Sequence, residues 1–208
     1  MLIHPWDAPR DDDWQRWLTT HDFGQLAVNG PPGEPPYVQP LHFAYDTARG
    51  EAVTHLARPN PLWPAVEANP DVLLSVVDDY VYVPGPWQAE PGSPPEHGVP
   101  TSLYAAVQLR CRAHVVDDPA RKAALLNRQT GHFQPEGGSA RAAGEEPYGR
   151  LLAGIRGLRL EVTGVRAKFK YAGKRSEEVR DRIAAGLAER DGTRDPEARA
   201  HILRRRTG

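Results

Sequence analysis

The sequence predicts a mainly β fold with flanking α-helices, arranged as a small closed or half-open antiparallel barrel. Three observations predict it. Short alternating strands follow one another through the first half with no βαβ alternation, which argues against a doubly wound sheet. The segment "LYAAVQLRCRAHVV" (Leu103 to Val116) keeps strict period-two patterning, and at roughly 3.3 Å per residue it would span about 46 Å, so it must coil or bend. Sustained helical patterning gathers near the C-terminal end.

The elements follow in order. Asp11 to Asp13 supply a cap and negative charge for a first helix, in which Trp14, Trp17 and Leu18 form an apolar stripe. "FGQLAV" (Phe23 to Val28) is a strand, and Asn29-Gly30 opens the turn after it. "YVQPLHFAY" (Tyr37 to Tyr45) is a second strand, placed at an edge or bulged because Pro40 lies inside it. "AVTHLA" (Ala52 to Ala57) returns antiparallel to it across "DTARGE". "LWPAVEANP" is a short helix ended by Pro70, and the apolar run "VLLSVV" (Val72 to Val77) reads as a strand buried on both faces, with "YVYV" after it. Pro84 to Pro100 is a long loop with Trp87 as its large anchor. Asp118-Pro119 opens a helix over Ala120 to Gln129, and Gly131 to Pro147 is a second loose loop. A short helix, a strand from Leu158 to Val165 and "AKFKY" lead to a helix capped by Ser176, with Val179, Ile183 and Leu187 as its stripe. A last helix starts near Pro196 and frays into "RRRTG".

Composition narrows the function. The 208 residues suit one domain with appended helices, divided at residues 1–175 and 176–208. A net charge of −1 lacks the basic excess of a nucleic-acid wrapper, and no basic recognition helix is evident, so DNA binding is weakly supported. Cys111 is the single cysteine, which excludes an intramolecular disulfide and suits a reducing cytosol. The opening lacks an apolar signal core and no window reaches the length of a membrane span, so a cytoplasmic protein is expected.

Four segments carry candidate chemistry. In "THLARPNPLW", two prolines fix the backbone around Asn60, giving Arg58 a defined direction, as a grip on an anion requires. "GVPTSLYAAVQ" delivers Thr101 and Ser102 to the start of the longest strand, with Gln108 further along it. "KFKY" places Lys168 and Lys170 on one strand face. "VQPLHF" contributes Gln39 and His42, which join His55 as polar strand residues. Arg58, Lys168 and Lys170 at converging strand ends, topped by hydroxyls, would solvate a phosphate; the competing reading is ordinary surface cations. No zinc spacing, Walker loop or nucleophile elbow is present, so no metal site is expected.

These segments together resemble the PaiB-type proteins, described as FMN-binding negative transcriptional regulators and similar to the pyridoxamine-phosphate-oxidase-like split barrels. "MLIHPWDAP" through "FGQLAVNG" resembles the family's opening. "THLARPNPLW" resembles its G-H-M-A-R-A-N-P-x-W, and "GVPTSLYAAVQ" its V-P-T-W-N-Y-x-A-V-H. "LLAGIRGLRLEVTGVRAKFK" and "RSEEVRDRIAAGL" resemble its ending. The resemblance implies a six-stranded antiparallel split β-barrel with C-terminal helices, and a homodimer holding two FMN molecules at its interface. Arg58 and Asn60 would hold phosphate or ribityl, Lys168 and Lys170 would close from another strand, and Gln39, His55 and Thr101 would line the pocket. The chain departs from the pattern at Ser102 and Leu103, at Gln108, at Tyr171 to Gly173, and across "YVPGPWQ" (Tyr82 to Gln88). Three functions stay open: a flavoprotein with oxidoreductase or flavin-linked regulatory activity; a haem b enzyme like the piperazate synthases, with His55 or His42 on iron; and a cofactor-free transcriptional regulator.

Overall fold

The computed structural model describes residues 1–10, 12–142 and 145–204. They divide into two compact units. Residues 15–76 and 108–165 form a strand unit; residues 1–14, 77–107 and those from 166 onward form a helix unit.

The strand unit holds β1 (Phe23–Val28), β2 (Tyr37–His42), β3 (Ala44–Asp46), β4 (Glu51–Ala57) and portions of β5 (Asp71–Val83), β6 (Thr101–Val116) and β7 (Ile155–Lys170). The strands make one mainly antiparallel sheet in the order β2-β1-β5-β6-β7-β4-β3. Among the described residues seven strands are present where six are expected, because the second predicted strand breaks at Phe43. The Phe43 N–H donates to Asp22 O (2.8 Å), and the Thr54 hydroxyl donates to His42 O (2.7 Å). Pro40 lies opposite Gln25 on edge strand β2, where its missing N–H costs no ladder bond. The two edge strands are consecutive in the chain, with fully buried Phe43 alone between them.

Helices flank this sheet. α2 (Trp63–Ala68) follows the Pro-Asn-Pro turn, and α3 (Pro119–Phe133) is capped by the Asp118 carboxylate accepting from Arg121 N at 2.9 Å. α3 continues through Gly131, four residues past its predicted end. Contacts beyond the helix override the cost of a helical glycine, among them His132 on Asp22 at 2.8 Å. α4 (Tyr148–Leu151) leads into β7. Leu125 of α3 packs with Ala44, Val53 and Val116.

β5 corrects one expectation. Its first half is not buried on both faces: Val72, Leu74 and Val76 are buried while Val77 is 61% exposed. Antiparallel sheets bury one face, and an apolar composition does not change that. After Asp78 the buried parity moves by one, to Asp79, Val81 and Val83, and Asp79 takes φ +54°. One extra residue in a strand has this effect.

The helix unit contains the remaining portions of β5, β6 and β7 with α5 (Glu177–Arg190) and α6 (Asp195–Arg204). Ser176 caps α5, and Val179, Ile183 and Leu187 are all fully buried, as their spacing predicts. Asp195 closes the turn between the two helices, accepting from Gly192 N (2.8 Å) and pairing with Arg190. Trp87 anchors the proline-rich segment against α5: a Cβ at Gly186 would lie 2.6 Å from its ring. A Cβ on Gly98 would collide with the Gly85 carbonyl, so that segment is ordered through a backbone approach that requires glycine. α1 (Asp13–Leu18) lies where predicted; Asp11 of its expected cap and residues 205–208 of "RRRTG" lie outside the described residues. No helix among the described residues is long and apolar enough to cross a membrane.

Candidate functional site

Strand alternation at the end of β7 sends Phe169 into the core and leaves Lys168 and Lys170 together on the other face. Both belong to the helix unit, as does Thr101 at the start of β6. Lys170 Nζ donates to Thr101 Oγ1 at 2.8 Å. Lys168 Nζ is buried, donates to Leu2 O at 3.0 Å and stands 3.7 Å from the Asp7 carboxylate. Both ammoniums lie 5.8 Å from the centre of the Tyr104 ring. Burial, and after it the charge of Lys168, pull the pKa of Lys170 below the usual lysine value, while Asp7 opposes the shift.

Asp7, Thr101, Lys168 and Lys170 line a cavity of about 460 Å³, within the size range of small-molecule sites. Lys174 and Arg175 also line it. Arg175 is neutralised by Glu90 at 2.6 Å, and Lys174 sits 5.5 Å over the Trp6 ring, which stacks on His4. Three lysines therefore face one lining carboxylate, Asp7, in a partly desolvated cleft. Such a place lowers its electrostatic energy by taking up an anion. Lysine ammoniums and a threonine hydroxyl are phosphate-binding chemistry. Ser102 is half-buried and does not line the cavity. Tyr171, one of the departures from the PaiB pattern, is a fully buried core residue: its hydroxyl donates to Asp79 O at 3.1 Å and its ring stacks on His201. Trp6, Asp7, Lys174 and Arg175 were not singled out by sequence; the basic Lys174-Arg175 pair just after "KFKY" was the available signal.

The remaining candidates belong to the strand unit. Asn60 bonds at both ends of its amide there: its Oδ1 accepts from Leu62 N (2.9 Å) and its Nδ2 donates to Gln39 Oε1 (3.0 Å). The prolines thus hold an Asx turn at the entry to α2. Arg58 Nε donates to Ala153 O at 2.9 Å, and its Nη2 pairs with Asp117 at 3.3 Å. Asp117 also receives Arg156, which holds its carboxyl below the usual carboxylate range. The side chain of Arg58 is half-exposed but already has anionic company. His42 and His55 meet edge-on with ring centres 5.8 Å apart, and His55 Nδ1 lies 2.7 Å from Gln129 Oε1. Partial desolvation and then His55 lower the pKa of His42, with Asp22 opposing. Gln108 is half-buried on β6. Buried Cys111 has its thiol pushed up to about 12 by desolvation, which leaves it inert near neutral pH.

The fold is shared with several solved proteins. A structure described as a putative 5-nitroimidazole antibiotic resistance protein from Bacteroides thetaiotaomicron aligns with a TM-score of 0.59 at 15% identity, covering 77% of this chain and 84% of its own. A flavocytochrome from Azotobacter vinelandii aligns at 0.59 and 16% identity, with 79% and 70% covered. An FAD- and haem-binding protein from Mycobacterium smegmatis aligns at 0.58 and 19% identity, with 85% and 79% covered. No curated protein matches the chain in sequence. A family model matches residues 1–164, and the chain belongs to that family, described as "Putative FMN-binding domain".

Proposed function

We propose that this protein is a PaiB-type FMN-binding split barrel that works as a homodimer. The observation that carries the reading is the Lys168–Lys170 face beside the Thr101 hydroxyl, in a cleft with excess positive charge. A phosphate monoester is close to a dianion at neutral pH, and this donor set fits it. Lys170 and Thr101 would hold the phosphate directly. Lys168, tied to Leu2 and Asp7, would act mainly through its field. Bound flavin would supply hydride or single-electron chemistry, for an oxidoreductase or for a flavin-linked regulator. The same resemblance would give Arg58 and Asn60 phosphate or ribityl contacts and Gln39, His55 and Thr101 the pocket lining, with His42, Ser102 and Gln108 as further candidate cofactor-binding residues. That Phe43 alone separates the two edge strands β2 and β3 supports counting them as one strand of a six-stranded split barrel. Exposed Val77, Tyr80 and Tyr82 on β5 support an apolar dimer surface.

The test is an absorption spectrum of the purified protein with FMN and hemin titrations. Paired flavin bands and saturable quenching of FMN fluorescence are the expected result, with a dimeric mass by light scattering. The haem b reading is favoured by one observation, two adjacent imidazoles of which His42 is biased toward its neutral, ligating form. A Soret band that forms with hemin while FMN fails to bind would replace the flavin reading with that one.

A further inference from the structure

Gln129 is a buried amide on α3, and both of its polar ends are committed. Its Nε2 lies 3.3 Å from the carbonyl oxygen of His42, which also takes the Thr54 hydroxyl at 2.7 Å. A carbonyl oxygen can only accept, so the amide must present its NH₂ to that side. The opposite flip would set two acceptor oxygens against each other. Once this end is fixed, Oε1 is the atom that faces His55 Nδ1, at 2.7 Å. An amide oxygen also can only accept, so His55 Nδ1 must carry a hydrogen. Whenever this ring is neutral, its proton is on Nδ1 and its lone pair is on Nε2. His55 is half-buried on β4, and its Nε2 has no partner among the described residues.

We propose that Gln129 is a positioning residue that locks His55 into the Nδ1–H tautomer, so that any ligand reaching this face of the strand unit meets a hydrogen-bond acceptor. The chemical class selected at His55 Nε2 is then a proton-donating edge, such as a ring imide N–H or a sugar-alcohol hydroxyl. A purely acceptor edge is rejected there while the ring is neutral. This rests on the flavin reading for its ligand, because FMN carries both kinds of donor, but the tautomer lock stands without it. A histidine in free solution chooses its tautomer without such a constraint; here a backbone carbonyl, an amide and an imidazole form a chain with one consistent polarity.

The experiment is long-range ¹H–¹⁵N correlation of the histidine rings at pH 8, on wild type and on Gln129→Glu and Gln129→Leu, with His55→Gln supplying the assignment. Wild-type His55 is expected as the Nδ1–H form. Gln129→Glu keeps an acceptor facing Nδ1, so Nδ1 stays protonated, but it loses the NH₂ that meets the His42 carbonyl and should be less stable than wild type. Gln129→Leu removes the acceptor and yields the Nε2–H form or a mixture. FMN titration of the same proteins should show a Kd about tenfold higher for Gln129→Leu than for wild type. An Nε2–H wild-type ring overturns the proposal, as does a tautomer unmoved in a folded Gln129→Leu. If Gln129→Leu does not fold, the wild-type and Gln129→Glu spectra decide the matter alone. An Nδ1–H ring in a protein that fails to bind FMN would leave the lock intact and remove the flavin reading instead.

Discussion

The two units differ in where they leave positive charge without a matching carboxylate. In the strand unit, the arginines around the sheet are paired. Arg58 and Arg156 share Asp117, and Arg156 also reaches Glu67 at 2.8 Å. Buried Glu51 takes both Arg128 (2.8 Å) and Arg159 (3.2 Å). In the helix unit, Lys168, Lys170 and Lys174 line one cleft with Asp7 as the carboxylate. The same kind of charge thus serves cohesion in one place and reception in the other. Guanidinium forks suit fixed internal pairs, whereas ammoniums are compact charges that can turn toward a guest.

Mutations should separate these roles. Glu51→Ala removes the buried carboxylate that Arg128 and Arg159 share, leaving Arg128 with Asp46 and Arg159 with Glu161, and should lower unfolding stability by about 2 kcal/mol in urea melts, with FMN affinity in the folded fraction unchanged. A large loss of affinity at equal folding would erase the contrast. Lys170→Met should do the reverse, raising the Kd for FMN about thirtyfold, or about 2 kcal/mol, with little change in melting temperature. Arg58→Ala should cost under about 1 kcal/mol of stability because its ion pair is solvent-exposed. Its FMN Kd should rise less than about threefold, a loss of one screened charge; a larger rise would move the anion site toward the Pro-Asn-Pro turn.

The smallest expected effect concerns pH. The pKa of His42 is lower in the folded state than the ordinary value of about 6.5. Protonation therefore favours the unfolded chain: the His42 contribution is complete above about pH 6.5 and is lost as pH falls below it. Urea melts between pH 7 and 5 should show a shallower decline for His42→Asn than for wild type. An equal decline would place the acid sensitivity elsewhere.

Local pattern made much of this fold legible. β1 has the predicted limits, and the α5 stripe and the buried face of β6 follow their periodicities, because burial on one side of an element leaves a direct trace in sequence. The break at Phe43 left no such trace, since it depends on the Phe43 N–H reaching Asp22 O and the Thr54 hydroxyl reaching His42 O in three dimensions. The cationic face was legible at Lys168 and Lys170 through alternation. Its other wall was not, because Trp6 and Asp7 come from the far end of the sequence. Arg58 shows the limit of inference from rigidity. A stiff turn announces a fixed direction but not a target, and its Nε is bonded to Ala153, 95 residues away.

Phe43 couples the two strands it joins. β2 is registered on β1 and β3 on β4, with one residue between them. A one-residue insertion or deletion at 42–44 would have to be absorbed by two ladders at once, and each slip would turn a buried side chain outward. The turn at Asn29–Pro36 carries no such coupling, since lengthening it leaves both registers intact. Length variation in this fold should therefore collect in the hairpin loops and avoid the Phe43 joint, which acts as a hereditary ruler for the sheet.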